Sequence, residues 1–242
     1  ASEPESFMTK VIDLYYWPTP NGWKISIALE EMNLPYTTHL INIGAGDQFD
    51  PAFLKIAPNN RMPAITDPNG PDGAPVSIFE SGAILLYLAR KTGLFYGSTE
   101  REKIAVDQWL MWQMGGVGPM AGQAHHFLKY APAMDPPHDL PYPKDRYRTE
   151  VARLYGVLDR QLEQNAYVAG DFYSIADMAL WPWVNQWRGQ QQTLADKPHL
   201  ERWLSAVKSR DAVQRGRALA QDSRSNLQTD KNAQELLFKR NA

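Results

Sequence analysis

The apolar residues of this chain change their spacing once, near Gly97, and that change limits the folds open to it. Before this point, short runs rich in β-branched and aromatic residues alternate with segments of helical spacing. After it only the helical spacing recurs, as in Leu154, Leu158 and Leu162. The sequence therefore predicts a small α/β domain followed by an all-α domain.

The first domain is predicted to be one α/β layer with mixed strand directions. Its elements are expected to be, in order, a strand over 11–17, a helix over 23–33, strands over 36–43, 64–66 and 76–79, and a helix over 80–93. The short connection between the first two strands indicates a compact βαβ unit. The last helix carries basic residues in its final turn and stops at Gly93.

The second half is predicted to be helical, with helices over 101–114, 147–164, 175–188 and 199–210. Five of the 18 prolines fall within 132–143, which marks a surface excursion between two helices. The mostly polar end is expected to form a loose tail or an arm laid across a neighbour. The predicted boundaries are an extension over 1–10, the α/β domain over 11–93, a linker over 94–100, the helical domain over 101–220 and the tail over 221–242.

The chain contains no cysteine, which excludes disulfide scaffolds, cysteine-ligated zinc, iron–sulfur clusters and a cysteine nucleophile of the protein's own. Any thiol chemistry must therefore use a thiol that arrives with a ligand. The net charge of −2 gives no general attraction for nucleic acid or an anionic membrane. Apolar stretches fall far short of the ~20 residues of a membrane span, and the acidic start lacks signal-peptide features. A cytoplasmic location is therefore expected.

Two polar residues, Thr19 and Asn21, lie between the first predicted strand and the first predicted helix. In α/β sheets, ligands gather at the carboxyl ends of strands, and the N–H groups at a helix N-terminus favour an anion. The threonine hydroxyl and the asparagine amide suit hydrogen bonds to such a ligand. Both residue types are also common helix caps, so the sequence leaves both uses open.

Two dipeptides are further candidates for ligand binding. A cis bond between Met62 and Pro63 would let the Met62 backbone pair with an extended peptide ligand, although only about one X-Pro bond in twenty is cis and an edge-strand proline is the alternative. Glu80 and Ser81 open a predicted helix. Ser81 and the first-turn N–H groups suit a carboxylate, and Glu80 suits an ammonium group, as in an amino-acid head group. Helix capping is the alternative here too.

Other motifs are expected to be structural. The Ser-x-x-Asp sequence that begins at Ser174 fits a helix-capping box. The cluster of Trp181, Trp183 and Trp187 fits a core better than a base-stacking surface, because no basic stripe accompanies it. His125 and the histidine after it would point about 100° apart on a helix, so they cannot ligate one metal together. No metal site is predicted.

These motifs, in this order, resemble those of the glutathione S-transferases over 11–220. The resemblance implies a thioredoxin-like domain over 11–93 followed by a helical-bundle domain. Finer segments resemble the bacterial nu class, relatives of the fungal nitrogen-regulator prion protein that include glutathione-dependent disulfide-bond oxidoreductases. These segments include Pro18-Thr-Pro-Asn-Gly22, Pro58-Asn-Asn60, Gly118-Pro-Met120 and Trp181-Pro-Trp183.

The resemblance also implies how each candidate residue contacts glutathione. Thr19 and Asn21 hydrogen-bond its sulfur, in place of the Tyr, Ser or Cys of other classes. The rest of the molecule is bound by the backbone of Met62 ahead of a cis Pro63, by Glu80 and Ser81 at the γ-glutamyl end, and by Gln48 and Arg146 as further polar contacts.

The leading hypothesis is a glutathione-dependent disulfide-bond oxidoreductase that acts on a small-molecule disulfide. Helix N–H groups and two donors lower the pKa of a thiol, so bound glutathione can supply the thiolate that the chain lacks. One alternative is a glutathione transferase or thioether lyase for aromatic electrophiles, whose second cleft Trp17, Tyr130 and Trp187 would line. Another is a non-catalytic glutathione-binding regulator. A homodimer is implied by the resemblance, and the near-neutral charge predicts no nucleic-acid or membrane partner.

Overall fold

The structure of the protein is a computed structural model that describes residues 11–224 and 226–239. The predicted extension over 1–10, and residues 225 and 240–242 of the predicted tail, lie outside the described residues. Within them, a four-stranded sheet with its helices precedes a helical second half. This arrangement confirms the predicted fold class.

The sheet has the strand order β2-β1-β3-β4. Its strands are β1 (Ile12–Tyr16), β2 (Tyr36–Leu40), β3 (Ala64–Asp67) and β4 (Val76–Phe79). Strand β2 runs parallel to β1, whereas β3 is antiparallel to both β1 and β4. Alternate residues of β1, beginning with Ile12, are buried, which is the period of two expected when one face of a strand meets a core.

Three helices accompany the sheet: α1 (Pro20–Glu31), α2 (Pro51–Ile56) and α3 (Ser81–Thr92). Helix α1 begins earlier than predicted because Thr19 caps it and Pro20 fits its first position. Helix α3 stops before Gly93, whose φ of 71° lies in the left-handed region that glycine tolerates. The start of α1 and the end of α3 are therefore determined by residues that lie next to them in the sequence.

The described part of the second half contains seven α-helices: α4 (Glu100–Trp112), α5 (Gly118–His125), α6 (Pro141–Glu163), α7 (Ile175–Val184), α8 (Pro198–Lys208), α9 (Asp211–Ala218) and α10 (Lys231–Gln234). Helix α6 starts before the predicted residue 147, because prolines 141 and 143 fit a first turn, where a missing N–H is harmless. Helix α7 ends before the predicted residue 188, and a separate 3₁₀ turn covers Trp187–Gln190.

Helices α4 and α5 are joined by a π-helical turn over Gln113–Val117, and a second π-helical turn, His126–Tyr130, follows α5. Such turns insert an extra residue and bend the helical run. Gly116 lies within the first of them. Gln113, the first residue of this turn, accepts a hydrogen bond from the side chain of Lys24 on α1.

Helix α1 packs against α3 in the first half and against α7 and α9 in the second. On its α9 side, the Ser26 hydroxyl donates to the Gly216 carbonyl at 2.7 Å. At its C-terminal end, Glu31 accepts two hydrogen bonds from Arg210, at 2.6 and 2.9 Å. The helix that follows Thr19 is therefore held by both halves of the molecule.

The Ser-x-x-Asp motif is structural, as predicted. Asp177 is buried and accepts hydrogen bonds from the backbone N–H of Val168 at 3.0 Å and of Ser174 at 2.9 Å. It also accepts from the indole of Trp203 at 2.8 Å. Burial raises the pKa of Asp177 to about 6 despite these donors. The motif thus begins α7 and ties it to α8.

The described part of the C-terminal segment folds back on its own chain, which corrects the expectation of a loose tail. Lys231 pairs with Asp135 at 3.1 Å. The ring of Phe238 stacks on Tyr130 with centroids 5.5 Å apart and meets His126 at 4.9 Å. Apolar residues late in the segment make this packing favourable. Among the described residues, no helix has the length and apolar character to cross a membrane.

Candidate functional site

Two adjoining cavities lie at the N-terminal end of α1. The larger has a volume of about 560 Å³ and is bounded by the β1–α1 turn, α5 and the C-terminal segment. The smaller, about 490 Å³, lies between α1, the start of α3 and the first π-helical turn. Both are lined by Asn21, Arg61, Met62, Gly122 and Trp183. These shared residues mark the place where one extended ligand could enter both cavities.

Thr19 caps α1 and also lines the larger cavity. Its Oγ accepts a hydrogen bond from the Gly22 backbone N–H at 3.4 Å and donates one to the Sδ of Met62 at 3.7 Å. A hydroxyl that accepts through a lone pair keeps its own hydrogen to donate. Thr19 can therefore cap α1 and also donate a hydrogen bond to a ligand. The sulfur within reach of its hydroxyl in this structure is the Sδ of Met62.

Asn21 lines both cavities, and its amide orientation is fixed by Trp183. The Trp183 indole N–H donates to Asn21 Oδ1 at 2.8 Å. An indole can only donate, so it selects the oxygen of the amide and leaves the amide nitrogen to donate to a ligand. Asn21 is thus held as a donor beside Thr19 at the positive end of helix α1.

The prediction that the tryptophan cluster belongs to the core is confirmed for Trp181, and Trp183 and Trp187 pack against that core, but Trp183 has a further position at the cavities. Trp181 is buried, but Trp183 is half-buried and lines both cavities, and Trp187 lines neither. Residues two apart on a helix point to nearly opposite sides, which separates Trp181 from Trp183. That spacing is the signal in the sequence by which the role of Trp183 could have been found.

Met62 and Gln48 also lie at the cavities. The peptide bond between Met62 and Pro63 is cis, and Met62 lines both cavities. Gln48 is buried at the wall of the larger cavity, where its Nε2 donates to the Ile43 carbonyl at 3.2 Å. Its Oε1 has no hydrogen-bond partner among the described residues. Gln48 therefore presents an acceptor for a ligand N–H.

Glu80 and Ser81 meet in the smaller cavity, as the sequence suggests. Glu80 precedes α3 with φ of 71°, a left-handed conformation that is strained for a residue other than glycine. Ser81 is buried, and its hydroxyl accepts a hydrogen bond from the Lys24 Nζ at 3.3 Å. Backbone strain of this kind concentrates at binding sites, where the surrounding structure holds it in place.

Lys24 and Gln113 complete the smaller cavity, and neither was singled out from the sequence. Lys24 is 2% exposed, and its Nζ donates to Gln113 Oε1 at 2.8 Å. Burial lowers the pKa of Lys24 to about 7, and the charge of Glu80 opposes that shift. The cavity thus holds a buried amine and a carboxyl group close together.

The larger cavity carries positive charge at Arg61, Lys129 and Arg224. His125 also lines it, and burial, with a smaller contribution from the Lys129 charge, lowers the pKa of His125 to about 4, so this histidine is neutral near pH 7. Arg146, predicted as a further contact, is exposed on α6 and is absent from the residues that line either cavity.

This geometry suits a peptide-like ligand that carries a thiol. Glu80 and Ser81 lie in the smaller cavity, whereas the donors Thr19 and Asn21 both line the larger one. Hydrogen-bond donors and a helix N-terminus lower the pKa of a thiol and so favour the reactive thiolate. The positive wall of the larger cavity suits a second, anionic reactant.

The chain matches two family models, the glutathione S-transferase N-terminal domain over 19–91 and the C-terminal domain over 123–211. It is 51% identical to the disulfide-bond oxidoreductase YfcG of Escherichia coli K12, over 86% of this chain and 94% of that protein.

Two similar solved structures are a glutathione transferase family member from Pseudomonas fluorescens with two glutathione molecules bound, and a glutathione transferase from Pseudomonas putida with one glutathione disulfide per subunit. Each is 41% identical to this chain with a TM-score of 0.82. The match to the Pseudomonas fluorescens protein covers 88% of this chain and 95% of that one. The match to the Pseudomonas putida protein covers 89% of this chain and 94% of that one. Together with the fold and the site, these matches show that the chain belongs to the glutathione S-transferase family.

Proposed function

We propose that this protein is a glutathione-dependent disulfide-bond oxidoreductase that uses the thiolate of bound glutathione. The observation that carries the proposal is a pair of donors in a chain without cysteine: Asn21 at the junction of the two cavities and Thr19 beside it in the larger one. The 51% identity to a disulfide-bond oxidoreductase supports it. The protein then acts as a holder and activator of the nucleophile.

Glutathione lies across both cavities in this proposal. Its γ-glutamyl end enters the smaller cavity, where Ser81 and the α3 N-terminus receive the carboxylate and Glu80 receives the ammonium group. Its cysteinyl part pairs with the backbone of Met62, ahead of Pro63. Gln48 contacts the glycyl side from the larger cavity, and Arg146 is a further polar contact.

The reaction proceeds by two thiol–disulfide exchanges. In the first, the bound thiolate attacks one sulfur of the disulfide, forms a mixed disulfide and releases the other sulfur as a thiolate that takes up a proton. In the second, the thiolate of another glutathione attacks the mixed disulfide. Two glutathione molecules are oxidised to one glutathione disulfide, and the substrate is reduced to two thiols.

Thr19 and Asn21 act on the first exchange by stabilising negative charge on the glutathione sulfur. Each donates one hydrogen bond, and the N-terminus of α1 adds its positive potential. Arg61, Lys129 and Arg224 favour a disulfide that carries carboxylates in the larger cavity. Aromatic walls at Trp17 and Tyr130 give room for apolar substituents.

Three finer assignments belong to the same proposal and are supported by the resemblance of the motifs: membership of the bacterial nu class, a homodimer and a cytoplasmic location. The subunit count follows from light scattering of the purified protein. The subunit count also bears on the proposed role of Arg146. This residue is exposed on α6, and a subunit interface is one way in which it would meet a ligand.

The proposed function is tested by steady-state turnover with glutathione, coupled to glutathione reductase. Hydroxyethyl disulfide and an aryl halide are offered in parallel. Saturable turnover of the disulfide, at least about tenfold above that of the aryl halide in kcat/KM, is expected, since thiolate attack on a disulfide needs no aromatic recognition. The reverse preference would indicate a transferase, and tight glutathione binding without turnover would indicate a regulator.

Trp183→Phe is expected to reduce disulfide turnover about three- to tenfold, because the Asn21 amide loses the donor that fixes its orientation and one hydrogen bond is worth about 1 kcal/mol. The variant keeps an aromatic ring against both cavities. Trp187→Phe is the matched control, since Trp187 lines neither cavity. Equal activity of the two variants would remove the positioning role from Trp183.

A further inference from the structure

Lys24 is buried in the smaller cavity although a charged amine is costly to bury. Its two oxygen contacts, Gln113 Oε1 at 2.8 Å and Ser81 Oγ at 3.3 Å, are both uncharged. Its third neighbour is the Sδ of Met114 at 3.6 Å, and a thioether is a weak acceptor. Within the described part of the chain, Lys24 makes no ion pair, and an anionic group would take the donor that now goes to the weak thioether acceptor.

Gln113 supplies a second observation in the same cavity. Its side chain is fully buried, its Oε1 accepts from Lys24, and its Nε2 has no partner among the described residues. A buried amide N–H without an acceptor costs about 1–3 kcal/mol. The ammonium group of Lys24 and the unpaired side-chain N–H of Gln113 lie in one cavity, and oxygen atoms of a ligand would serve as acceptors for both.

We propose that Lys24 binds the α-carboxylate of the γ-glutamyl end of glutathione and orients the Ser81 hydroxyl toward it. This inference rests on the glutathione site of the proposed function. Because Lys24 donates to Ser81 Oγ, the hydroxyl of Ser81 is left to act as a donor; it donates to the Sδ of Met114 at 3.5 Å, a weak acceptor that a carboxylate oxygen would replace. Lys24 thus supplies the positive charge, and Ser81 and Gln113 supply neutral donors.

Two other charged groups line the cavity that holds Lys24. Glu80 acts on it by charge from the start of α3, and Arg61 lines the same cavity. The π-helical turn contributes only the neutral Gln113 and Met114 to this wall. On the helices packed against α1, Asp177 of α7 is bonded to Trp203, and Arg217 of α9 lies over the ring of Trp23.

This arrangement predicts that ligand binding takes up a proton above pH 7. The free protein holds Lys24 with a pKa of about 7, and a bound carboxylate favours its charged form. Below pH 7 the ammonium group is already formed, whereas above it the proton must be added at the cost of affinity. The affinity for a carboxylate ligand is therefore expected to fall about tenfold between pH 6 and pH 8.

The test uses S-methylglutathione, whose sulfur cannot ionise, titrated into the whole protein by calorimetry at pH 6, 7 and 8. Lys24→Met, which keeps the length of the side chain, is expected to bind at least about tenfold more weakly at pH 6, as for loss of one charge-assisted hydrogen bond. It should also lose the tenfold decline toward pH 8. Any decline that remains in the variant belongs to the ligand's own amine. Lys208→Met, which removes an exposed lysine on α8, is the matched control and should bind like the natural protein.

A second ligand separates recognition from structural damage. An S-methylglutathione analogue that lacks the glutamyl α-carboxylate should bind the natural protein and Lys24→Met with equal affinity. Gln113→Glu gives Lys24 an internal carboxylate, so it should weaken S-methylglutathione about tenfold without affecting the analogue. Equal losses for both ligands, or an unchanged pH profile in Lys24→Met, would overturn the role of Lys24. Failure of every protein to bind S-methylglutathione would overturn the proposed glutathione site itself.

Discussion

Disulfide reduction by the double variant Thr19→Val, Asn21→Leu is expected to be about 10²–10⁴-fold slower in kcat/KM than that of the natural protein. Both substitutions keep the approximate shape of the side chain and remove its donor. A hydrogen bond to a charged group contributes about 1.5–3 kcal/mol, so the loss of two corresponds to this range of rates. The coupled glutathione reductase assay measures the effect directly.

The same variant should raise the pKa of the bound glutathione thiol, because the thiolate loses both hydrogen bonds. Ultraviolet absorbance of the thiolate, followed against pH, reports this pKa without any turnover. Thr19→Ser is the matched control, since serine retains the hydroxyl and also caps helices well. Unchanged thiolate titration in the double variant would show that other groups activate the sulfur.

The local signals in the sequence were sufficient for most of the fold. Gly93 ends α3, and the capping box at Ser174 begins α7, because each acts through its own backbone neighbourhood. The start of α6 was missed for the opposite reason. Its prolines at 141 and 143 were interpreted as loop residues, although a first helical turn accepts proline.

The site could be predicted only where its residues lie in recognisable motifs. Thr19, Asn21, Glu80 and Ser81 follow strands or open helices, and the structure brings them to adjoining cavities. Lys24 carries no such signal, since a lone lysine on a helix ordinarily faces solvent.

The contacts of the site that could not be predicted from the sequence are tertiary contacts. Trp183 reaches Asn21 from a helix far along the chain, just as Gln113 reaches Lys24 through a π-helical turn. No local pattern encodes such pairs, because they depend on how α1 packs against the second half. The same packing explains why an apolar-looking tryptophan cluster supplies a residue of the site.

That packing depends on Gly216, and Gly216→Ala is expected to lower the free energy of unfolding by about 3 kcal/mol, near the upper end of the overpacking range. A Cβ at this position would lie 2.6 Å from the backbone nitrogen of Ile27 and 2.7 Å from its Cα. Backbone atoms of α1 cannot rotate away as a side chain would, so α9 must move outward. Urea unfolding measures the loss.

Gly156→Ala on α6 is the matched control for Gly216→Ala. The nearest atom to its added methyl group is the flexible guanidinium of Arg160 at 3.5 Å, so the gain in helix propensity should leave stability unchanged or raise it by up to about 1 kcal/mol. Equal stability of the two variants would contradict the tight packing of α9 on α1. Because Thr19, Asn21 and Lys24 are positioned by α1, the folded fraction of Gly216→Ala should also bind S-methylglutathione more weakly, whereas Gly156→Ala should bind it normally.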